Sequence, residues 1–246
     1  MEQFISFDFA IFILGTFVAA LVTGVAGFAF GLIAAAIWLY ALTPIQTTML
    51  IVSYGLLVQA YAVWKLRHNL NLGRLAPLII GSAIGVPFGI LSLRWIPAAY
   101  LRIAIGCLLV LFSLYNLLRP PLPAMSKTGR LADAVAGFVN GVIGGATGLA
   151  GIAIVIWSGL RGWQRDEQRA AFQPTGVATF LLVLIALGGS NNIATDTIKL
   201  FAWGLPALAL GTWVGWTLYG KLDEAKFRKA VLVLLLISGL GLIVRI

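Results

Sequence analysis

The chain has 246 residues, 61% of them hydrophobic and only 10% charged, with a mean hydropathy of +1.00 and a formal net charge of +9. A soluble domain carries about 25% charged residues, and a folded chain of this length cannot hide so much apolar surface from water. Composition therefore excludes a water-soluble protein. The basic residues lie between apolar runs, which assigns them to membrane topology and excludes nucleic acid as a partner.

The N-terminus reaches Asp8 without a positive residue. A cleaved secretory leader opens with a basic segment, so the first apolar stretch is expected to be retained. From Asp8 to Lys65 there are 56 residues without a charge, and from Asp133 to Arg161 there are 27. Segments 75–93, 170–195, 200–220 and 230–244 are also uncharged. A helix needs about 20 apolar residues to cross roughly 30 Å of hydrocarbon. A membrane barrel would alternate apolar and polar residues, and the run from Val231 to Ile237 does not. The fold class is therefore an all-α integral membrane protein.

The first half is expected to hold a broken helix pair at 9–23 and 25–41, then helices at 44–65, 75–93 and 99–118. Segment 9–43 has 35 residues, too many for one crossing, and glycines lie at its middle. Glycine weakens a helix interior and permits a tight turn. The proline-rich stretch 119–130 is the one long polar connection and reads as a cytoplasmic linker. The second half then repeats the order: a broken pair at 131–145 and 148–160, followed by helices at 168–188, 198–218 and 226–244. Cys107 stands alone in an apolar run and reads as a small core residue.

The halves share landmarks. Thr23-Gly24-Val-Ala-Gly27-Phe-Ala-Phe-Gly31 corresponds to Gly144-Gly145-Ala-Thr-Gly148-Leu-Ala-Gly151, and Gly81, Gly85 and Gly89 correspond to Gly211, Gly215 and Gly220. Residues 1–118 and 131–246 are therefore read as two transmembrane repeats. Lysine and arginine placement gives their orientation. If each glycine-rich segment crosses once, the 17 basic residues divide 8 to 9 between the two sides. If each enters and returns on its own side, with both termini outside the cytoplasm, 13 fall inside, leaving Arg94, Arg102, Lys199 and Arg245 outside. The positive-inside rule selects the second arrangement. The repeats are then inverted, an organisation that secondary transporters use to place substrate near the midplane.

Catalytic and cofactor motifs are missing. His68, the only histidine, sits in a basic loop, and there is no P-loop, metal-ligand cluster or Gly-x-Ser-x-Gly. Trp157-Ser158-Gly159 resembles an intramembrane serine-protease motif, but no span carries a histidine to act as base. The protein is expected to be neither an enzyme nor cofactor-dependent. No acidic residue or histidine is visible deep in a span, which leaves proton coupling without a carrier and fits potential-driven anion movement.

The glycine breaks carry the site expectation. An interrupted helix leaves N–H groups without intrahelical partners, and a helix N-terminus attracts anions. The expected midplane anion site comprises Thr23, Gly24, Gly27, Phe28 and Gly31 from the first break. From the second it takes Asn140, Gly144, Gly145, Thr147, Gly148 and Gly151. Gly81, Gly85, Gly89, Gly211 and Gly215 read instead as small-residue stripes for close helix packing. Trp38 and Trp157 read as lipid-facing or interfacial residues, with a wall of the site as the alternative. Asp166, Glu167, Asp223 and Glu224 are expected to balance nearby basic residues.

These segments together resemble the TauE/SafE family of sulfite and organosulfonate exporters. The resemblance rests on the two glycine signatures, on Leu160-Arg161-Gly162-Trp163-Gln164-Arg165-Asp166-Glu167-Gln168-Arg169-Ala170, and on Lys221-Leu222-Asp223, Phe227-Arg228 and Ser238-Gly239. It implies outward transport of sulfite or sulfonates across a bacterial-type inner membrane. Ile152 and Trp38 stand where many members carry proline, which bears on pocket shape. The expected partners are a small anionic substrate and the lipid bilayer, with a homodimer left open. A passive anion channel and a non-transporting scaffold are the alternative functions.

Overall fold

A computed structural model of the chain describes residues 7–26, 29–66, 70–118, 129–188, 195–218, 221 and 223–244. Among these residues the structure is helical: α1 (Phe7–Ala26), α2 (Phe30–Trp38), α3 (Pro44–Leu66), α4 (Leu72–Trp95), α5 (Ala98–Leu118), α6 (Arg130–Thr147), α7 (Ile152–Leu160), α8 (Arg165–Gly188), α9 (Thr195–Leu218) and α10 (Glu224–Val244). Every expected helix is present, to within four residues at each end except α2, expected at 25–41 and found at Phe30–Trp38. Both breaks divide their segments unequally, giving a long helix followed by one of nine residues. Among the described residues five helices, including α4, α5 and α9, are long and apolar enough to cross a membrane. The chain is a multi-pass membrane protein. Most of the 119–130 linker and both chain ends lie outside the described residues.

The helices form two compact units that are not the two halves of the sequence. The first unit comprises α1, α2, the start of α3, α5, α9 and α10, and the second comprises the rest of α3 with α4, α6, α7 and α8. In each unit a small-residue helix from one half packs on the broken pair of the other. A repeat in sequence and a compact unit in space are different partitions of the chain.

In the second unit the partners are α4 and α6. A Cβ on Gly81 would strike the backbone of Ala134 and Phe138, one on Gly85 that of Phe138 and Val142, and one on Gly89 that of Val142 and Ala146. The reverse holds as well. Gly137, Gly141 and Gly145 lie on the backbones of Leu78, Ser82 and Val86. Both registers rise in steps of four, so the helices run parallel with i±4 ridges meshed. Lipid supplies no hydrophobic drive for helix association, so such pairs are held by van der Waals contact and Cα–H···O bonds that only side-chain-free positions permit.

In the first unit α9 meets α1 in the same way. Gly211 lies on Phe17 and Ala20, and Gly215 on Leu21 and Gly24, again in parallel. Helices α5 and α10 cross at Gly106 and Gly239, and a Cβ on either would come within 2.8 Å of the other's carbonyl oxygen. The face of α5 that meets the protein carries Leu101, Ile105, Leu109 and Phe112. Cys107 falls off that stripe and is exposed, which corrects its reading as a core residue. Its place in an apolar run reports only that the helix is apolar all round, as a lipid-facing helix must be.

Replacing Gly85 by alanine is expected to lower the thermal unfolding temperature of the detergent-solubilised protein. Pushing a methyl into closed backbone contact costs about 1–3 kcal/mol. Gly129→Ala, where an added Cβ meets nothing within 4 Å, is expected to shift it far less.

Candidate functional site

The first break is a helical hairpin. Helix α2 starts at Ala29, whose backbone is left-handed at φ 81°. It ends at Trp38, whose fully buried indole donates a hydrogen bond to the carbonyl of Phe12 at 3.1 Å. A nine-residue helix rises about 14 Å, so this bond fixes α2 as a return stroke alongside the first half of α1. The Trp38 ring packs 5.3 Å from Phe12 and 6.1 Å from Phe30. A Cβ on Gly15 would collide with Ile37 and Trp38. The far end of α2 is held by α10. Ser238 donates its hydroxyl to the carbonyl of Ala36 at 2.6 Å, and Tyr40 donates to the carbonyl of Ser238 at 3.2 Å.

The second break is a hairpin of the same kind. Gly148, left-handed at φ 73°, ends α6 and donates its N–H to the Gly144 carbonyl at 2.8 Å. Gly151, at φ 105°, starts α7, and its carbonyl accepts from Val155 at 2.8 Å. The return stroke is tied by another indole: Trp157 donates to Oδ1 of Asp133 at 2.8 Å. Arg161 closes the open end, 4.0 Å from Oδ2 of Asp133, with its guanidinium over the rings of Trp157 and Trp163. Arg74 also lies over Trp163, 5.2 Å from its ring centre, and pairs with Glu167 at 2.6 Å. Trp38, fully buried, and Trp157, half-buried, thus tie the two strokes of each hairpin together.

The expected site residues differ in what they do. Gly24, Gly144 and Gly145 serve contact. A Cβ on Gly24 would meet Gly215, one on Gly144 would meet Thr179 and Ala150, and one on Gly145 would meet Val86 and Gly89. Gly148 and Gly151 serve conformation, since both hold backbone that a side chain would strain. Gly31 sits in the first turn of α2. Thr23 donates its hydroxyl to the Ala19 carbonyl at 2.7 Å. Thr147 donates to the Ile143 carbonyl and accepts from the Leu149 N–H, which closes the turn. Gly27 and Phe28 lie outside the described residues. Asn140 is fully buried. Its Oδ1 accepts the Gly151 N–H at 2.6 Å, and its Nδ2 reaches Ser82 and Thr179, each at 3.3 Å. The residues of the second break belong to one unit, and Thr23, Gly24 and Gly31 to the other.

The shared chemistry of the breaks lies in their starts. Ala29 and Gly151 carry no side-chain oxygen, so neither supplies the capping bond that Ser, Thr, Asp or Asn would give to the first amides. Both short helices are uncharged, and Ser158 of α7 is the one hydroxyl residue in them. An N-terminus of this kind offers neutral N–H donors and the positive end of the helix dipole. Among the described residues no group of three His, Cys, Asp or Glu could hold a metal.

Ser82, Thr179 and Asp133 pack around the second break and were not among the expected site residues; Trp38 and Trp157 were named, but not as ties within the hairpins. One signal was available for Asp133 and Arg161. They are the charges that bound the 27-residue apolar run, so a chain that reverses inside that run must bring its ends together.

A family model described as sulfite exporter TauE/SafE matches residues 11–242. The chain belongs to the TauE/SafE family. Comparison with curated proteins and with solved structures gives no match. As TauE/SafE is a family of membrane transporters, the two hairpins belong to a transport protein.

Gly151 separates conformation from space, because an added Cβ there would have only Phe172 near it, at 3.7 Å. Gly151→Asn, which tolerates left-handed backbone, is expected to unfold close to the wild-type temperature. Gly151→Val is expected to lose about 1–2 kcal/mol or more, measured by thermal unfolding in detergent.

Proposed function

We propose that this protein is a secondary transporter that exports small sulfur oxyanions, sulfite or organosulfonates, across a bacterial-type inner membrane. The proposed substrate-binding groups are the first-turn amides of α2 in one unit and of α7 in the other. The observation that carries this reading is the pair of nine-residue apolar helices, each starting without a capping oxygen, in a chain whose family is that of sulfite exporters.

The inverted arrangement of the halves belongs to the same reading. It is supported by the parallel pairs α4–α6 and α1–α9, by the opposed α5 and α10, and by the 13 to 4 division of basic residues when both termini lie outside. The reversal of the chain at both breaks supports segments that enter and return on one side. A monoanion leaving an inside-negative cell gains roughly 2.3 kcal/mol per 100 mV, so export needs no second coupled ion.

The purified protein in liposomes is expected to pass sulfite or a small sulfonate, with flux that follows an imposed potential and saturates with concentration. A folded protein that moves neither anion would overturn the proposal, and non-saturating flux would favour a channel. Gly148→Leu is expected to abolish flux in protein that still runs as a single species on gel filtration. Unchanged flux would remove Gly148 from the site.

A further inference from the structure

We propose that Asn140 is a positioning residue, which fixes the start of α7 and does not itself touch substrate. The proposal rests on the transport reading above, and its closing experiment separates the two.

The carboxamide has one orientation that satisfies its surroundings. The hydroxyl proton of Ser82 goes to the Gly137 carbonyl at 2.9 Å, and that of Thr179 goes to the Thr175 carbonyl at 2.7 Å. Each hydroxyl oxygen therefore meets Asn140 only as an acceptor, and Nδ2 has two protons to give, one for each. On the other side Oδ1 receives the Gly151 N–H. Turning the amide over would set Nδ2 against the Gly151 N–H and Oδ1 against two oxygens without protons. The network excludes the flip, so the assignment of N and O follows from bonding chemistry.

What Oδ1 holds is the peptide that begins α7. Gly151 is left-handed, a conformation glycine can leave at little cost. The bond from Asn140 removes that freedom and so fixes the direction of the following amides, those of Ile152, Ala153 and Ile154. Both amide protons and the amide oxygen are engaged by protein, on α4, α8 and α7. An anion accepts hydrogen bonds, so it could bond to Asn140 only through Nδ2, and only by breaking one of these contacts. The residue thus acts through Gly151, and Ser82 and Thr179 act through Asn140.

The test uses the full-length protein in nanodiscs and in liposomes, with sulfite as the probe. Asn140→Ala, Ser82→Ala and Thr179→Val are each read by amide hydrogen exchange at Gly151 and Val155, the two hydrogen-bonded amides at the start of α7, and by the concentration dependence of sulfite flux. In wild-type protein the exchange is expected to be slow, and Asn140→Ala is expected to speed it about tenfold or more. The apparent KM for sulfite is expected to rise by a similar factor, with a smaller loss of maximal rate. Ser82→Ala and Thr179→Val should shift both readouts in the same direction. Combined with Asn140→Ala, neither should add its full effect, because the three share one network. Unchanged exchange in Asn140→Ala would overturn the proposal. So would a KM effect confined to Asn140, with Ser82→Ala and Thr179→Val silent, since that pattern marks direct contact with substrate. If wild-type protein moves no sulfite, the transport reading fails, and the exchange data still decide the role of Asn140.

Discussion

Backbone pressed on backbone between α4 and α6 is the constraint on which the second hairpin depends. With glycine at every rung, Leu78, Ser82 and Val86 come against the bare α-carbons of Gly137, Gly141 and Gly145. Asn140 sits between two of these rungs. Its carboxamide reaches Ser82 on the neighbouring helix because no side chain holds the helices apart. One larger residue in the stripe would widen the gap and strand a buried amide without partners, which costs more than the lost packing. Close approach and polar satisfaction are one requirement here.

The two hairpins meet a common problem with different chemistry. Each must tie a nine-residue return stroke to the helix before it, and each does so with an indole N–H. In the first the acceptor is a main-chain carbonyl, and a serine from α10 holds the far end. In the second the acceptor is a buried carboxylate, and the polar bracing lies at the turn, through Asn140. Asp133 is kept among apolar neighbours by the Trp157 indole and the Arg161 guanidinium. A buried acid needs that company, because removing one member leaves an uncompensated charge.

Much of this was legible in the chain. Uncharged runs of known length gave the helices, mid-run glycines gave both breaks, and the spacing of Gly81, Gly85 and Gly89 gave a close-packing face. The partner of that face was not legible. A stripe of small residues states how near a neighbour comes and does not name the neighbour, so the pairing of α4 with α6 across the linker needed coordinates. The roles of Gly24, Gly144 and Gly145 were hidden for the same reason, since glycine for contact and glycine for turning read alike. Ala29 shows the converse. A left-handed residue stands at the first break without the glycine that would announce it. Trp38 and Trp157 were hard to place because an indole suits a membrane interface and a buried carbonyl equally well.

The bracing at the turn of the second hairpin is built from an amide and two alcohols, and the short helices that follow both breaks carry no acid or base. None of these groups titrates between mild acid and mild alkali. A cradle of that composition keeps its shape while the medium sours or sweetens. On the proposed reading, any acidity dependence arising there would belong to the anion, whose own proton decides how much charge it carries.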